Sequence, residues 1–395
     1  MTDTADSPAA AADQGIPVTL LTGFLGSGKT TLLNKLLAKP AMANTAVIIN
    51  EFGEIGLDHL LVESSSDDMT VLNSGCLCCT VRGDLIETMG RLFLRRAKGE
   101  IPFFRRLLIE TTGLADPAPI LHTLMTDPLV AARYRLDSVI VTVDAVNGSA
   151  TLDNHEEAVK QAAVADRLLI TKADLATSQQ MATLRTRLHE LNPGAPLQDV
   201  TQGEVDPASL FNAGLYNPDS KTADVRAWLR AEAFEDKHHH GHDHGHHDHE
   251  HAHDEGRHGG QHGGQHRDHH HDHRAGQDPH DVNRHDDHIR AFCLTFEQPL
   301  PWSVVTSALD ALVSYRGPDM LRLKAILNVE GSDKPVVIHG VQHVFHPPAM
   351  LDEWPDADRR SKLVFITRNI EESTIRKLFN AFATTEREER EAGWR

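Results

Sequence analysis

Pro17-Val-Thr-Leu-Leu-Thr22, followed by Gly23-Phe-Leu-Gly-Ser-Gly28-Lys29-Thr30-Thr31, is the stretch on which the fold turns. An apolar run that reads as a buried strand ends in a glycine-rich turn of pattern G-x-x-x-x-G-K-[ST]. A helical pattern from Lys29 to Ala38 follows directly. Strand, turn and helix in that order are the context in which such a turn wraps phosphate. Glycine lets successive backbone N–H groups face one anion, and the helix N-terminus adds the positive end of its dipole. Lys29 would reach the β- and γ-phosphates, and the Thr30 hydroxyl would ligate Mg²⁺.

Outward from this turn, Ala46–Asn50, Arg106–Glu110, Ser138–Val143 and Arg167–Thr171 are short Val/Ile/Leu runs separated by helical patterns. Strands apolar on both faces, alternating with helices, predict an α/β unit with a mostly parallel sheet covered on both sides. This phosphate-binding unit is expected over residues 16–234, after a disordered tail at 1–15. From 289 to 383 the pattern changes to strands and two flanking helices, Trp302–Val313 and Ile370–Ala383, which predicts a small α+β unit. Residues 384–395 read as a polar tail.

A break in composition separates the two units. The chain has 395 residues, a formal charge of −18, 27 histidines and 4 cysteines. Twenty of those histidines lie in His238–His288, with acidic residues and glycines and almost nothing apolar between them. Such a segment cannot bury enough apolar surface to offset its ordering entropy, so 235–288 is expected to be a disordered linker. Its imidazoles and carboxylates suit many weak sites for Zn²⁺, Ni²⁺ or Co²⁺; a solvated linker without a binding role is the plainer reading.

Charge and length exclude several functions. The acidic balance argues against nucleic acid and against an anionic membrane surface as partner. No apolar run approaches the ~20 residues that span a bilayer, and Met1–Gln14 lacks the features of a signal peptide. Few cysteines point to a reducing compartment, so a cytoplasmic location is expected.

Two further strand ends carry chemistry. Thr171-Lys172-Ala173-Asp174 matches the guanine-reading N/T-K-x-D pattern. A carboxylate at Asp174 can accept from both the ring N1–H and the exocyclic amine of guanine, which makes GTP the expected nucleotide. Glu110-Thr-Thr-Gly113-Leu-Ala-Asp116-Pro117 places a carboxylate where one that coordinates Mg²⁺ or polarises water is expected, and Gly113 where a backbone amide would sense the γ-phosphate. Lys29, Glu110 and Gly113 are therefore the catalytic candidates. The plainer readings are a helix cap for the first segment and a strand-ending turn for the second.

Three of the four cysteines lie in Gly75-Cys76-Leu77-Cys78-Cys79. Their thiolates can converge on a soft or borderline metal such as Zn²⁺, leaving a fourth position open for exchange. A redox pair and buried apolar thiols are the competing readings. Upstream, Asn50-Glu51-Phe52-Gly53-Glu54-Ile55-Gly56-Leu57-Asp58 is a carboxylate-rich loop in which Glu51, Glu54 or Asp58 could reach Mg²⁺ or complete the thiolate site; a solvated acidic loop is the plainer reading. Cys293, in an alternating strand, reads as a core thiol.

In combination and in order, G-F-L-G-S-G-K-T-T, N-E-F-G-E-I-G-L-D, N-S-G-C-L-C-C, E-T-T-G-L-A-D-P and T-K-A-D resemble the CobW-type GTPases. That family is similar to the nickel-handling GTPases of hydrogenase and urease maturation. The resemblance covers Val18 to about Asp174, and more loosely Asp319–Ala325 and Lys362–Arg368. It implies a SIMIBI-like P-loop NTPase with a CobW C-terminal-like domain. Gly23, Gly26, Ser27, Gly28, Lys29, Thr30 and Thr31 would bind phosphate and Mg²⁺, and Thr171, Lys172 and Asp174 would bind guanine. Cys76, Cys78 and Cys79 would hold metal, with Glu51 and Glu54 as further candidates.

The implied activity is that of a GTP-hydrolysing zinc metallochaperone, with client apo-metalloproteins and GTP/GDP as partners. Its oligomeric state is open, a metal-dependent dimer included. A cobalt carrier for cobalamin synthesis and a His-rich metal store are the alternative functions.

Overall fold

The computed structural model describes residues 15–50, 71–74, 82–211 and 289–392. The amino-terminal tail, Glu51, Glu54, the Cys76–Cys79 motif and the histidine tract lie outside the described residues.

The first unit runs β1 (Ile16–Gly23), α1 (Lys29–Leu37), β2 (Thr45–Asn50), β3 (Val71–Ser74), α2 (Arg82–Ala97) and β4 (Arg106–Glu110). It continues through α3 (Ala118–Thr126), α4 (Pro128–Ala131), β5 (Tyr134–Asp144), α5 (Gly148–Asn154), α6 (Glu156–Val164), β6 (Arg167–Thr171), α7 (Ser178–Leu191) and β7 (Leu197–Val200). Its seven strands form one sheet in the order β3-β2-β4-β1-β5-β6-β7, and every pairing is parallel. Strand β4 lies between β2 and β1, so strand order reverses on either side of β1. The carboxyl ends of such strands frame the crevice in which open α/β sheets bind ligands.

The central strands read as apolar runs because both sheet faces are covered. Leu107, Leu108 and Ile109 of β4 are fully buried, and so are Leu168, Leu169 and Ile170 of β6. One face packs Val18, Leu20 and Ile48 with Leu121, Leu124 and Ala162. The other packs Leu21, Val47 and Leu108 with Leu32, Leu33 and Leu36 of α1.

The second unit comprises β8 (Ile289–Phe296), α8 (Trp302–Arg316), β9 (Met320–Leu327), β10 (Val336–Val341), β11 (Val344–Phe345), β12 (Ala349–Met350), β13 (Ser361–Arg368) and α9 (Glu372–Glu391). Its antiparallel sheet has the order β11-β10-β9-β13-β8, with β12 paired to β10. The α/β and α+β expectations therefore match the architecture. One boundary differs: α9 runs on past Ala383 to Glu391 rather than ending in a tail. Glu386 is buried there, and Arg390 pairs with both Glu386 and Glu330 of the sheet unit, so these polar residues are anchored within the helix.

The two faces of the second sheet have different partners. One packs Phe292, Leu323 and Phe365 against Val305, Leu309 and Phe379 of α8 and α9. The other presents Cys293, Leu321, Val337, Val364 and Ile366 to Ala163 of α6. Cys293 is buried, as a core thiol should be.

Charge is also buried at this junction. Asp166, just after α6, accepts from Arg322 and from Lys324 of β9 (3.1 Å) and from the Val139 N–H (3.0 Å). Burial pushes the Asp166 carboxyl up, but Arg322, Lys324 and the backbone donor outweigh it and hold it below its ordinary value. His339 of β10 lies beside this group, its ring centroid 4.9 Å from that of His346. Burial first, and then His346, Arg322 and Lys324, hold its imidazole well below the ordinary value of about 6.5.

Two predictions follow from the signs of these shifts. Asp166→Ala leaves Arg322 and Lys324 buried without their carboxylate and is expected to cost about 3–5 kcal/mol in urea unfolding. His339 must stay neutral when folded, whereas the unfolded chain takes up the proton. Stability is thus complete above about pH 6.5 and falls as pH drops below it. Denaturation midpoints should decline between about pH 7 and about pH 5, with a shallower slope in His339→Gln, and decline again below about pH 4 as Asp166 protonates.

Candidate active site

The carboxyl ends of β1, β4, β5 and β6 bring together residues distant in sequence. Between β1 and α1 the chain turns through Gly26 (φ 72°) and Gly28 (φ 87°), both in the left-handed region. Gly28 caps α1 in that conformation, which an L side chain rarely adopts, so the helix can start directly beneath the turn.

Lys29 is buried and folds back over the loop, its Nζ donating to the carbonyls of Gly23 (2.8 Å) and Phe24 (3.1 Å). Burial lowers its ammonium below the ordinary value, and the Glu110 carboxylate opposes that shift. The Thr30 hydroxyl donates to Glu110 Oε1 at 3.0 Å. Thus the last residue of β4 and the first turn of α1 meet, offering two oxygens to a hard cation such as Mg²⁺. The hydroxyl of Thr112, two residues on, is buried without a hydrogen-bond partner in the described structure. Gly113 follows so close to the loop that an added Cβ would lie 2.5 Å from the Leu25 nitrogen.

The T-K-x-D segment follows β6. Thr171 is buried and donates its hydroxyl to the Ser27 carbonyl (2.7 Å) and the Val143 carbonyl (3.2 Å). Ser27 Oγ in turn lies 2.7 Å from Thr142 Oγ1. Lys172 adopts φ 56° and places Nζ 2.6 Å from Asp144 Oδ2. Asp174 sits in a single 3-10 turn and is exposed, as a residue that meets a ligand must be. Thr30 and Thr31 are likewise exposed at the start of α1.

Three features escaped sequence reasoning. Asp144, at the end of β5, accepts from the Val146 and Asn147 N–H groups (2.7 and 3.0 Å) as well as from Lys172. Burial would raise its carboxyl, but the Lys172, Asn147 and Val146 hydrogen bonds outweigh it and keep it ionised below the usual range. The turn Thr201–Glu204, after β7, is tied to α1 by Glu204 with Lys39 (3.0 Å) and Lys35 (3.3 Å), and Lys39 also donates to the Val205 carbonyl. Gln161 of α6 is fully buried and reaches the Gly113 loop. A carboxylate after an apolar strand was a usable signal for Asp144; the other two have none in local sequence.

Beside the loop, a cavity of about 140 Å³ opens between Phe24–Ser27, Asp144, Lys172 and helices α5 and α6. Among the described residues no cluster of three His, Cys, Asp or Glu side chains converges on a metal, and no helix is long and apolar enough to cross a membrane.

With this geometry in place, comparison with known proteins decides the family. Residues 17–199 match the CobW/HypB/UreG nucleotide-binding domain, and residues 289–383 match the cobalamin synthesis protein CobW C-terminal domain. The chain is 30% identical over 365 residues to the zinc chaperone YjiA of Escherichia coli, covering 92% of this chain and 98% of that protein.

The chain belongs to the CobW/HypB/UreG family.

It is also similar to the zinc-regulated GTPase metalloprotein activator 1 of Schizosaccharomyces pombe, 33% identical over 201 residues, about half of each chain. The solved structure of Zn(II)-bound YjiA GTPase from E. coli superposes with a TM-score of 0.63 at 27% identity, covering 93% of this chain and 99% of that one. The phosphate cradle, Glu110 and the T-K-A-D segment all fall within the matched nucleotide-binding domain.

Asp144→Asn retains the side-chain shape but weakens the hold on Lys172. It is expected to weaken GTP and GDP alike, by about tenfold, in fluorescent-nucleotide titration, since the base and ribose side of the site is common to both.

Proposed function

We propose that this protein is a zinc metallochaperone that holds the metal at Cys76, Cys78 and Cys79 and passes it to client apo-metalloproteins in a GTP-dependent step. The chain is a P-loop GTPase of the CobW type. The single observation that carries the fuller reading is a glycine-rich turn joined to the ends of β4 and β6 through Thr30–Glu110 and Thr171–Ser27, in a chain that matches a zinc chaperone over nearly its whole length.

In this reading the backbone N–H groups of Gly23, Gly26, Ser27 and Gly28, with Lys29, hold the phosphate chain. Thr31 adds its hydroxyl at the start of α1. The donor set fits a magnesium–nucleotide, because Thr30 and Glu110 already face each other, and the Thr112 hydroxyl, two residues on, is buried with no hydrogen-bond partner among the described residues. Mg²⁺, held by Thr30 and Glu110, would neutralise charge developing between the β- and γ-phosphates. Lys29 would leave the Gly23 and Phe24 carbonyls to reach the same oxygens, the Gly113 amide would meet the γ-phosphate, and Lys172 and Asp174 would read guanine while Thr171 spaces their loop from the cradle. Glu51 and Glu54 are candidates to join the Mg²⁺ or thiolate sites, and Co²⁺ is a second metal that the thiolates would accept.

Residues 235–288 would raise the local metal concentration, linking a nucleotide-binding unit at 16–234 to the C-terminal unit at 289–383. We place the protein in the cytoplasm, where thiols stay reduced.

Coupling of nucleotide to metal requires that Zn²⁺ affinity differ between GTP and GDP states, with nucleotide affinity shifting reciprocally. Zn²⁺ titration of the full chain with GTP analogue, GDP and no nucleotide checks this; equal affinities refute the coupling. Lys29→Ala should abolish GTP turnover, and triple Cys→Ser replacement at 76, 78 and 79 should remove the tight zinc site while GTP binding persists. Retention of a tight zinc site after that replacement would assign the metal to other ligands, the histidine tract first.

A further inference from the structure

We propose that Gln161 is a positioning residue for GTP hydrolysis, holding from α6 the loop that presents Gly113 to the γ-phosphate. The proposal rests on the GTPase reading and on Gly113 as the γ-phosphate contact.

The geometry is specific. Gln161 is fully buried, and its Nε2 donates to the Gly113 carbonyl (3.2 Å) and the Ala115 carbonyl (3.0 Å). A buried amide is costly unless it is hydrogen-bonded, and here Oε1 is buried with no partner among the described residues, so an apolar side chain of the same size would fit a helix core at lower cost. Those two bonds are what the amide supplies. They fix the Gly113–Leu114 and Ala115–Asp116 peptide groups, while Gly113 also lies against the Leu25 backbone of the phosphate loop. Confined by both contacts, the Gly113 N–H has little room to drift.

The helix that carries Gln161 is itself held along its length. At its start His155 stacks on Phe24 of the phosphate loop, with ring centroids 4.3 Å apart. One residue before Gln161, Lys160 pairs with Asp116, beyond the Gly113 loop, at 3.8 Å. At its end the Val164 carbonyl accepts from Arg322 of the second unit, and Asn192 donates to the Ala162, Ala163 and Ala165 carbonyls at 3.0, 3.1 and 2.9 Å. Gln161 therefore works from a fixed platform, the condition for placing a group to within a fraction of an ångström.

In hydrolysis a water oxygen bonds to the γ-phosphorus as the bridging bond to the β-phosphate breaks. The electron pair stays on the β-phosphate oxygen, and the water proton leaves on the phosphate product. Charge on the γ-oxygens is what a fixed Gly113 N–H can stabilise, and GDP lacks those oxygens. Loss of Gln161 should therefore reach turnover and leave GDP binding alone.

The test uses the full-length chain and its Gln161→Leu and Gln161→Met variants, with kcat and KM for GTP, Kd for GDP and a thermal unfolding profile. We expect kcat to fall by about tenfold or more in both variants, with GDP affinity within about twofold of wild type. Wild-type kcat in Gln161→Leu overturns the proposal, and so does a parallel loss of GTP and GDP affinity, which would mark a purely structural role. If Gln161→Leu does not fold, Gln161→Met, which keeps the length and flexibility of the side chain but brings no donor, decides by the same criteria. Absence of GTP turnover in the wild-type chain overturns the GTPase reading itself, whereas wild-type turnover with an unaffected variant overturns this proposal alone.

Discussion

The Thr171 hydroxyl, 2.7 Å from the Ser27 carbonyl, sets the distance between two loops that would otherwise move independently. The phosphate turn takes positive φ at Gly26 and Gly28, a conformation with little intrinsic stiffness. What stiffens it is contact with neighbouring strand ends: Thr171 after β6, and Thr142 of β5 against the Ser27 hydroxyl. Because all seven strands are parallel, their carboxyl ends lie on one side of the sheet, and each can contribute a residue there. Lys29, Glu110, Asp144 and Lys172 come from four connections and form one site for this reason. The spacing between phosphate cradle and base-reading residues is thus a property of β1, β5 and β6 in register.

Helix α6 extends that order to the second unit. Its capping residue His155 stacks on the phosphate loop, its middle bonds the Gly113 loop, and its end meets the C-terminal sheet. The junction is costly to build, since Asp166, Arg322 and Lys324 all leave water. Buried ion pairs of this kind contribute little net stability but penalise misplacement heavily. They therefore specify how the sheet seats on α6 more than how firmly it does so.

Legibility in sequence followed the range of the interaction. Gly23–Thr31 could be read at once, because strand, turn, lysine and helix are all local and their chemistry is carried by adjacent backbone groups. Glu110 and Thr171–Asp174 could be singled out as polar residues at the ends of apolar strands, and Gly113 as the glycine of the turn after Glu110. Asp144 offered only the signal of a strand-end acid and Gln161 none, since Lys172 and the Gly113 carbonyl, the partners that give them their roles, lie 28 and 48 residues away. The extension of α9 to Glu391 was missed for a related reason: a segment rich in Glu and Arg reads as a solvated tail until Glu330 of the sheet unit is brought beside Arg390.

By itself, then, the sequence determined the class of fold, the order of its strands along the chain and the phosphate-loop motif, because period, glycine placement and residue type act over a few neighbours. Only the tertiary structure decided that β4 inserts between β2 and β1, that Thr171 ties the base loop to the cradle, that Asp144 anchors Lys172, and that α6 serves both the site and the C-terminal sheet. Those are choices among partners far apart in the chain, made when burial brings a few polar groups together and each must find a hydrogen bond.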